Sequence, residues 1–223
     1  MQLVIRRYRH SDKDPVLTLF SRGIREHIRP CFRNAMTSPL NLAITLALCA
    51  AGHLLGSVLW AVVLPGAWVA LVYYCCHELY ASFVMEELQT DMQDIPGNYL
   101  KGPGDCFWVA EAEVEGRTRV LGMVAVVAKQ SGKERYGELR RMIISPSCRR
   151  MGLGLRLART AVDFCKERGF SKVLLETSST QTAAVSLYQK LGFSHVTSHT
   201  KTYTFDWIVM ITKVSILIME KHL

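Results

Sequence analysis

Two arginines and two glycines fall within six residues, Arg149-Arg150-Met151-Gly152-Leu153-Gly154, and this spacing suits the binding of an anion. Residues 139–144 before it read as a strand and Ser145-Pro146 as a loop. Residues 153–168 after it read as a helix, with apolar positions at Leu153, Leu157, Ala161 and Phe164/Cys165 and a stop at Gly169. A helix start offers backbone N–H groups that have no partner within the helix. Glycine lets such a backbone approach a diphosphate with no Cβ in the way. Taken alone, the six residues also fit an ordinary tight turn. Beyond them lie two side chains able to carry protons. Glu176 ends a second apolar strand over 172–176, and Tyr188 lies in a helical stretch over 181–191.

The order strand, anion turn, helix, strand, then Ala184-Val185-Ser186-Leu187-Tyr188-Gln189-Lys190-Leu191-Gly192-Phe193 resembles the GNAT acetyltransferase superfamily. The resemblance covers roughly residues 106–223, with a first strand and helix at the N-terminus. A long uncharged insert after the first helix, together with Gln181 where most of the superfamily has Asn, is similar to the camello-like branch of membrane-bound N-acetyltransferases, which includes cysteine S-conjugate acetyltransferases. The resemblance implies an α+β (α/β) chain with the GNAT acyl-CoA N-acyltransferase fold: a mixed central sheet flanked by helices, with a hydrophobic membrane hairpin inserted after the first helix. It implies acetyl-CoA as co-substrate and no metal. The diphosphate is expected over the backbone of Arg150–Gly154, with Arg149 or Arg150 adding charge. The pantetheine arm is expected along Met142-Ile143-Ile144, and Gln181 is expected to make an amide contact from a longer arm than Asn. Glu176 matches the position of a catalytic glutamate in some members, with Glu138 as the alternative base, and Tyr188 matches the tyrosine that protonates the departing thiolate. Expected acceptors are a small amphipathic amine, such as a cysteine S-conjugate or another amino acid, or a protein lysine. A non-catalytic acyl-CoA-binding membrane scaffold is the competing reading.

The elements that must position these groups are interrupted by an apolar tract. No Asp, Glu, Lys or Arg occurs over residues 34–77, and residues 40–76 are apolar apart from Asn41, Thr45, His53 and Ser57. A membrane helix needs about 20 apolar residues, so the tract is long for one span and marginal for two. It begins too far into the chain for a signal peptide. The expected organisation is residues 1–33 for the first strand and helix, 34–82 for the membrane insert, and 83–223 for the rest of the domain. The first strand must join the sheet formed after the insert, so both flanks lie on one side of a bilayer. A hairpin or a re-entrant wedge satisfies this, turning near Gly52–Gly56 or near Pro65-Gly66. Arg22, Arg25, Arg29 and Arg33 precede the tract and place both flanks in the cytosol by the positive-inside rule. The short segments suit the thinner bilayer of the endoplasmic reticulum, or the Golgi.

The net charge of +8 raises nucleic-acid binding as a class. Zinc-ligand spacing, recognition-helix pattern and interleaved aromatic and basic residues are all missing from the sequence, which argues against it. Seven cysteines without C-x-x-C spacing imply reduced thiols and neither a disulfide framework nor a zinc site. Cys75-Cys76 at the membrane edge reads either as apolar filling or as an S-acylation site.

Along the remaining chain, residues 3–7 read as a strand, 12–28 as a helix and 29–38 as a basic linker. Two apolar helices follow over 40–64 and 67–82. A polar segment over 86–99 starts helical and breaks at Pro96-Gly97. Strands are expected over 107–113 and 119–128, joined near Glu115-Gly116, then a polar loop over 132–137 and a strand over 138–144. Two further strands over 202–210 and 213–219 are expected to complete the sheet. Arg140 and Arg141, adjacent on a strand, should point to opposite faces, and either one offers a grip for an acceptor carboxylate.

Overall fold

The computed structural model describes residues 3–114 and 116–223. The expected turn at Glu115-Gly116 therefore falls partly outside the described residues. Strand β1 (Leu3–Arg7) leads into helix α1 (Lys13–Arg25). After the insert come β2 (Cys106–Val114), β3 (Arg117–Ser131) and β4 (Glu134–Ile144). Helix α6 (Leu153–Glu167), β5 (Lys172–Ser178), α7 (Thr182–Lys190), β6 (Ser194–His199) and β7 (Ile216–His222) complete the frame. The strands form one mixed sheet in the order β1-β2-β3-β4-β5-β7-β6. Strand β4 runs parallel to β5, and every other neighbouring pair is antiparallel. The expected fold class is the one found.

Helices cover both faces of the sheet because its central strands are apolar on both sides. Leu157 and Ala161 of α6 and Tyr188 of α7 pack with Trp108, Leu139 and Leu175 on one face. Val16 and Phe20 of α1 pack with Phe107, Val109 and Met123 on the other. Each fully buried large side chain contributes about 1.5–3 kcal/mol. Gly23 sets the spacing between α1 and β4. A Cβ there would lie 2.4 Å from Ile143 Cγ2, so glycine lets the helix settle onto the strand that borders the site.

The apolar tract is a helical hairpin, α3 (Pro39–Leu54) and α4 (Val58–Gln89). Ser38 caps α3 by accepting from the Asn41 N–H at 3.4 Å, with Pro39 at the first turn where no N–H is needed. The chain reverses at Gly56, whose φ of +72° favours glycine. Of the two expected turning points, Gly52–Gly56 is therefore the one used. Pro65-Gly66 lies inside α4, where the helix continues past the proline. At Gly52 the two helices touch backbone to backbone, and a Cβ would sit 2.5 Å from Ala61 main-chain atoms. Helix α4 is long and apolar enough to cross a membrane. Around the reversal Leu54, Val58, Leu59 and Val62 are exposed, whereas Val72, Cys75, Cys76, Leu79 and Val84 further along α4 are buried. The Cys75-Cys76 pair is thus packed inside the fold, as apolar filling.

Strand β1 pairs with β2 from Leu3↔Ala112 to Arg7↔Trp108. Both flanks of the hairpin consequently share one sheet, as the topological reasoning required.

Four local expectations need correction. The supposed linker 29–38 is mostly helix α2 (Ile28–Met36); Pro30 falls in its first turn, where proline is tolerated. The supposed loop 132–137 is a tight hairpin, since Ser131 pairs with Glu134 and the positive φ of Gly132 closes the turn. Pro96-Gly97 starts the short helix α5 (Ile95–Tyr99), whose Asp94 accepts from the Gly97 N–H at 3.0 Å. The strand expected over 202–210 is replaced by helix α8 (Asp206–Thr212). Its β-branched residues favour a strand on propensity alone. Burial of Ile208 and Val209 in the cluster that holds Val72, Cys76 and Leu79 overrides that preference.

Candidate active site

Strands β4 and β5 pair over only three positions, from Gly137↔Val173 to Leu139↔Leu175, and then diverge. Beyond Leu139 the β5-facing edge of β4 runs on to Ile144 with its backbone groups free of β5. A cavity of about 630 Å³ occupies the gap and reaches from Tyr188 and Gln181 to Phe20 and Phe83. It therefore passes from the α7 face of the sheet to the α1 and α4 face. Met142 and Ile143 line it, together with Glu138 and Glu176.

The anion turn stands at the end of β4. Arg150 and Gly152 both adopt left-handed backbone, with φ of +62° and +78°, and α6 starts at Leu153, which anchors the first turn in the core. The Arg156 N–H donates to Gly152 O at 3.1 Å, so the backbone N–H groups before it belong to the open first turn. Gly154 faces space. A Cβ there would meet nothing closer than 3.6 Å, against Ile144 Cγ1 and Met142 Cε. The protein itself would tolerate a Cβ at that point without rearrangement. Met151 and Arg150 are exposed, while Arg149 forms an ion pair with Glu26 at the end of α1.

The other end of the cavity is built around a residue that sequence reasoning misplaced. Ala125 pairs with Arg140 and Met123 with Ile143, so Val124 faces two residues of β4. This β-bulge turns Arg141 to a φ of +53°, a backbone state costing about 1–2 kcal/mol for a residue with a Cβ. The expected alternation of Arg140 and Arg141 fails here, and both line the cavity. Arg141 is held by two carboxylates. Its guanidinium pairs with Glu87 and donates through Nε to Asp91 at 3.0 Å and to the Tyr99 hydroxyl at 2.8 Å. It also lies 5.6 Å from the Phe20 ring centre and 5.8 Å from that of Phe83. Tyr203 donates to Glu87 at 3.3 Å. Arg140 pairs with Glu138 at 2.8 Å.

The Acetyltransferase (GNAT) family profile matches residues 72–193. N-acetyltransferase family 8 member 3 of Rattus norvegicus is 36% identical over 197 residues, covering 85% of this chain and 82% of that protein. The chain belongs to the GNAT acetyltransferase family. A protein named probable N-acetyltransferase camello, from Xenopus laevis, is 33% identical over 85% of this chain and 84% of its own length, which places the chain in the camello-like, N-acetyltransferase 8 branch. The fold is shared with a GNAT-family acetyltransferase of Staphylococcus aureus Mu50, at a TM-score of 0.56 and 14% identity over 99% of both chains.

This GNAT chain is thus an acetyl-CoA-dependent acetyltransferase. Among the residues singled out from sequence, Glu176, Gln181, Tyr188, Met142 and Ile143 meet around the cavity. Ile144 and the segment Arg149–Gly154 continue from the same strand end. Tyr188 is buried, its hydroxyl donates to Met142 Sδ at 3.5 Å, and burial pushes its pKa above the ordinary tyrosine range. Thr177 donates to the Gln181 side-chain oxygen at 3.0 Å, fixing the amide at the start of α7. Glu176 is half exposed with His199 Nε2 at 3.9 Å, whereas Glu138 is already held by Arg140. Glu87, Asp91 and Tyr99 had no sequence signal, because they reach Arg141 from 54, 50 and 42 residues earlier in the chain.

Proposed function

We propose that this chain is a membrane-anchored N-acetyltransferase that moves acetyl from acetyl-CoA to a primary amine. The divergence of β4 from β5 between the α6 start and Tyr188 carries the reading. The open N–H groups of Arg150–Gly154 receive the diphosphate, with Arg150 adding charge and Arg149 close by. The free edge of β4 at Met142-Ile143-Ile144 pairs with the pantetheine amides, and Gln181 lends a further amide contact.

Glu176, directly or through water, takes the proton from the acceptor ammonium; the choice over Glu138 follows from the ion pair that already engages Glu138. The neutral amine nitrogen then attacks the thioester carbonyl carbon. A β4 backbone N–H receives the resulting oxyanion, and such a donor is typically worth about 3 kcal/mol. The attached nitrogen releases its remaining extra proton to solvent, the C–S bond breaks, and Tyr188 gives its proton to the leaving thiolate and regains one from solvent. The raised Tyr188 pKa supports this role, because the hydroxyl stays protonated at neutral pH.

Residues 34–82 act as the membrane insert, a hairpin that enters and leaves by the same face, with residues 1–33 and 83–223 on the cytosolic side of the endoplasmic reticulum or Golgi membrane. The first arm, α3, has 16 residues and spans about 24 Å, short of the ~30 Å hydrocarbon core, whereas α4 is long enough to cross; the short first arm favours the re-entrant wedge over two full crossings. Acceptors in scope are cysteine S-conjugates, other amino acids and protein lysines, and lipid is a partner of the hairpin.

Thiol release from acetyl-CoA by the detergent-purified full chain, with a panel of amines, tests the catalytic reading. Acetyl-CoA binding with no transfer to any amine would instead favour the scaffold reading. Protease protection on sealed vesicles tests the topology, since shielding of only one flank of the hairpin would overturn it.

A further inference from the structure

Among the described residues, the largest run of exposed apolar side chains outside the hairpin lies in the tail: Tyr203, Phe205, Trp207 and Met210. Helix α8 buries Ile208 and Val209 against α2 and α4. Trp207 and Met210, three positions apart, share the opposite face and are exposed. The tail runs down α4 towards the hairpin. At its upper end the Tyr203 ring lies 6.0 Å from that of Phe83, and at its lower end Ile211 O accepts from the buried Asn41 side-chain amide at 3.0 Å. Asn41 belongs to the first turn of α3. Gly52 touches Ala61 across the hairpin, which in an antiparallel pair puts Asn41 level with Val72. The end of α8 thus sits at the foot of the hairpin, with about 20 Å of each arm beyond it. Leu40, Leu42, Tyr73 and Tyr74 are exposed at the same level, so the apolar surface of the arms continues onto α8. The charge around this foot is positive. Lys213 closes α8, and Arg29 and Arg33 are exposed on the neighbouring α2. Asp206 opens α8 at the end away from the hairpin.

We infer that α8 is a second membrane contact: Trp207 and Met210 enter the headgroup layer at the foot of the hairpin, with Lys213, Arg29 and Arg33 facing anionic lipid headgroups. The inference goes beyond the proposed function and rests on its membrane reading of the hairpin. Trp and Tyr settle at the membrane–water boundary, where the ring meets hydrocarbon and the N–H or O–H meets water. An apolar helix face rimmed by cations suits that layer. An exposed apolar face also fits a protein partner; its level at the membrane entry and its cationic rim select lipid instead. A hairpin alone is a single pivot about which the domain can rock. A second contact beside it fixes the tilt. Thr202 and Tyr203, just before α8, line the cavity, so the same contact sets how the cavity mouth stands against the bilayer.

The test uses the full chain reconstituted in vesicles of phosphatidylcholine and phosphatidylserine. An environment-sensitive fluorophore is attached singly through Met210→Cys, Trp207→Cys, Leu59→Cys or Val196→Cys, each in a Cys49→Ala background, since the other native thiols are buried. Leu59 is exposed near the hairpin tip and Val196 on the edge strand β6. Both α8 positions are exposed, so neither substitution opens the core. Labels at 207 and 210 should be quenched about threefold more strongly by lipids with a headgroup nitroxide than by iodide present on both sides of the bilayer. The label at 196 should show the reverse. Quenching by iodide at 207 or 210 as strong as at 196 overturns the inference. Shielding of either label from both quenchers also overturns it, and assigns the face to a protein partner. The label at 59 separates the two levels. If lipids with a nitroxide on the acyl chain reach it while 207 and 210 are open to iodide, the α8 contact alone fails. If 59 is itself open to iodide, the membrane reading of the hairpin fails as well.

Discussion

The two ends of the cavity are made of different material. The proposed donor end is backbone: the opening turn of α6 and the free edge of β4. The proposed acceptor end is side chains, with Arg141, Glu87, Asp91 and Tyr99 contributed by a bulged strand, a long helix, the turn after it and a short helix. Backbone recognition needs only glycines and a helix start, so it persists while the surrounding sequence changes. Side-chain recognition changes with each substitution. A donor shared across a fold and an acceptor that varies within it follow from this division.

The sharpest way to break the acceptor end is Arg141→Met. It would leave Glu87 and Asp91 buried without their cation, and removing one partner of a buried ion pair costs about 3–5 kcal/mol. A thermal melt should shift down by about 6–20 °C for a domain of this size; an unchanged midpoint would mean that the carboxylates are not held as described.

Tyr188→Phe tests the junction between the two ends. On its proposed role, turnover falls by about 10²-fold or more, while acetyl-CoA affinity stays within about twofold. Burial raises the Tyr188 pKa, and an acid remains a donor below its pKa. The alkaline limb of kcat attributable to Tyr188 therefore should not begin below about pH 10, the ordinary tyrosine value. A limb that appears near neutrality and survives Tyr188→Phe belongs to another group.

Gly154→Ala probes the donor end without disturbing packing, since the added Cβ meets only ordinary contacts of 3.6 Å or more. The melt should hold or rise slightly, because Ala outdoes Gly in a helix by about 1 kcal/mol. Acetyl-CoA should bind about tenfold more weakly, equivalent to ~1.4 kcal/mol. Equal affinity by calorimetry would move the diphosphate elsewhere. The smallest effect is expected from Glu26→Gln. An exposed pair such as Glu26–Arg149 contributes about 0–1 kcal/mol, so stability should barely change, and acetyl-CoA affinity should rise modestly as Arg149 is freed. A fall in affinity would show that Glu26 positions Arg149 and does not compete for it.

The same division explains what could be read without coordinates. The donor end is contiguous, and Arg149 to Gly154 with the following apolar period spell out a helix start. Motif context singled out Glu176 and Tyr188, and both line the cavity. The acceptor end was not, because one extra residue opposite Val124 cancels the strand alternation on which the reading of Arg140 and Arg141 relied. Glu87 and Asp91 look like ordinary polar residues until the strand folds onto them. Helix α8 was misread for a related reason: its propensity points to a strand, and only packing against α4 decides otherwise. The hairpin itself was plain from the lack of charge, but Pro65-Gly66 advertised a break that the helix does not make.

The pairing of β1 with β2 joins residues 3–7 to residues 108–112, which has a consequence for synthesis. Strand β1 must wait for about a hundred more residues before its partner is made, roughly 5–20 s at 5–20 residues per second. During that interval the apolar hairpin emerges and can insert. On the proposed membrane reading, sheet closure would then tie a loop around a wedge already embedded, membrane delivery would precede maturation, and a chain released before insertion would expose its apolar tract throughout the wait.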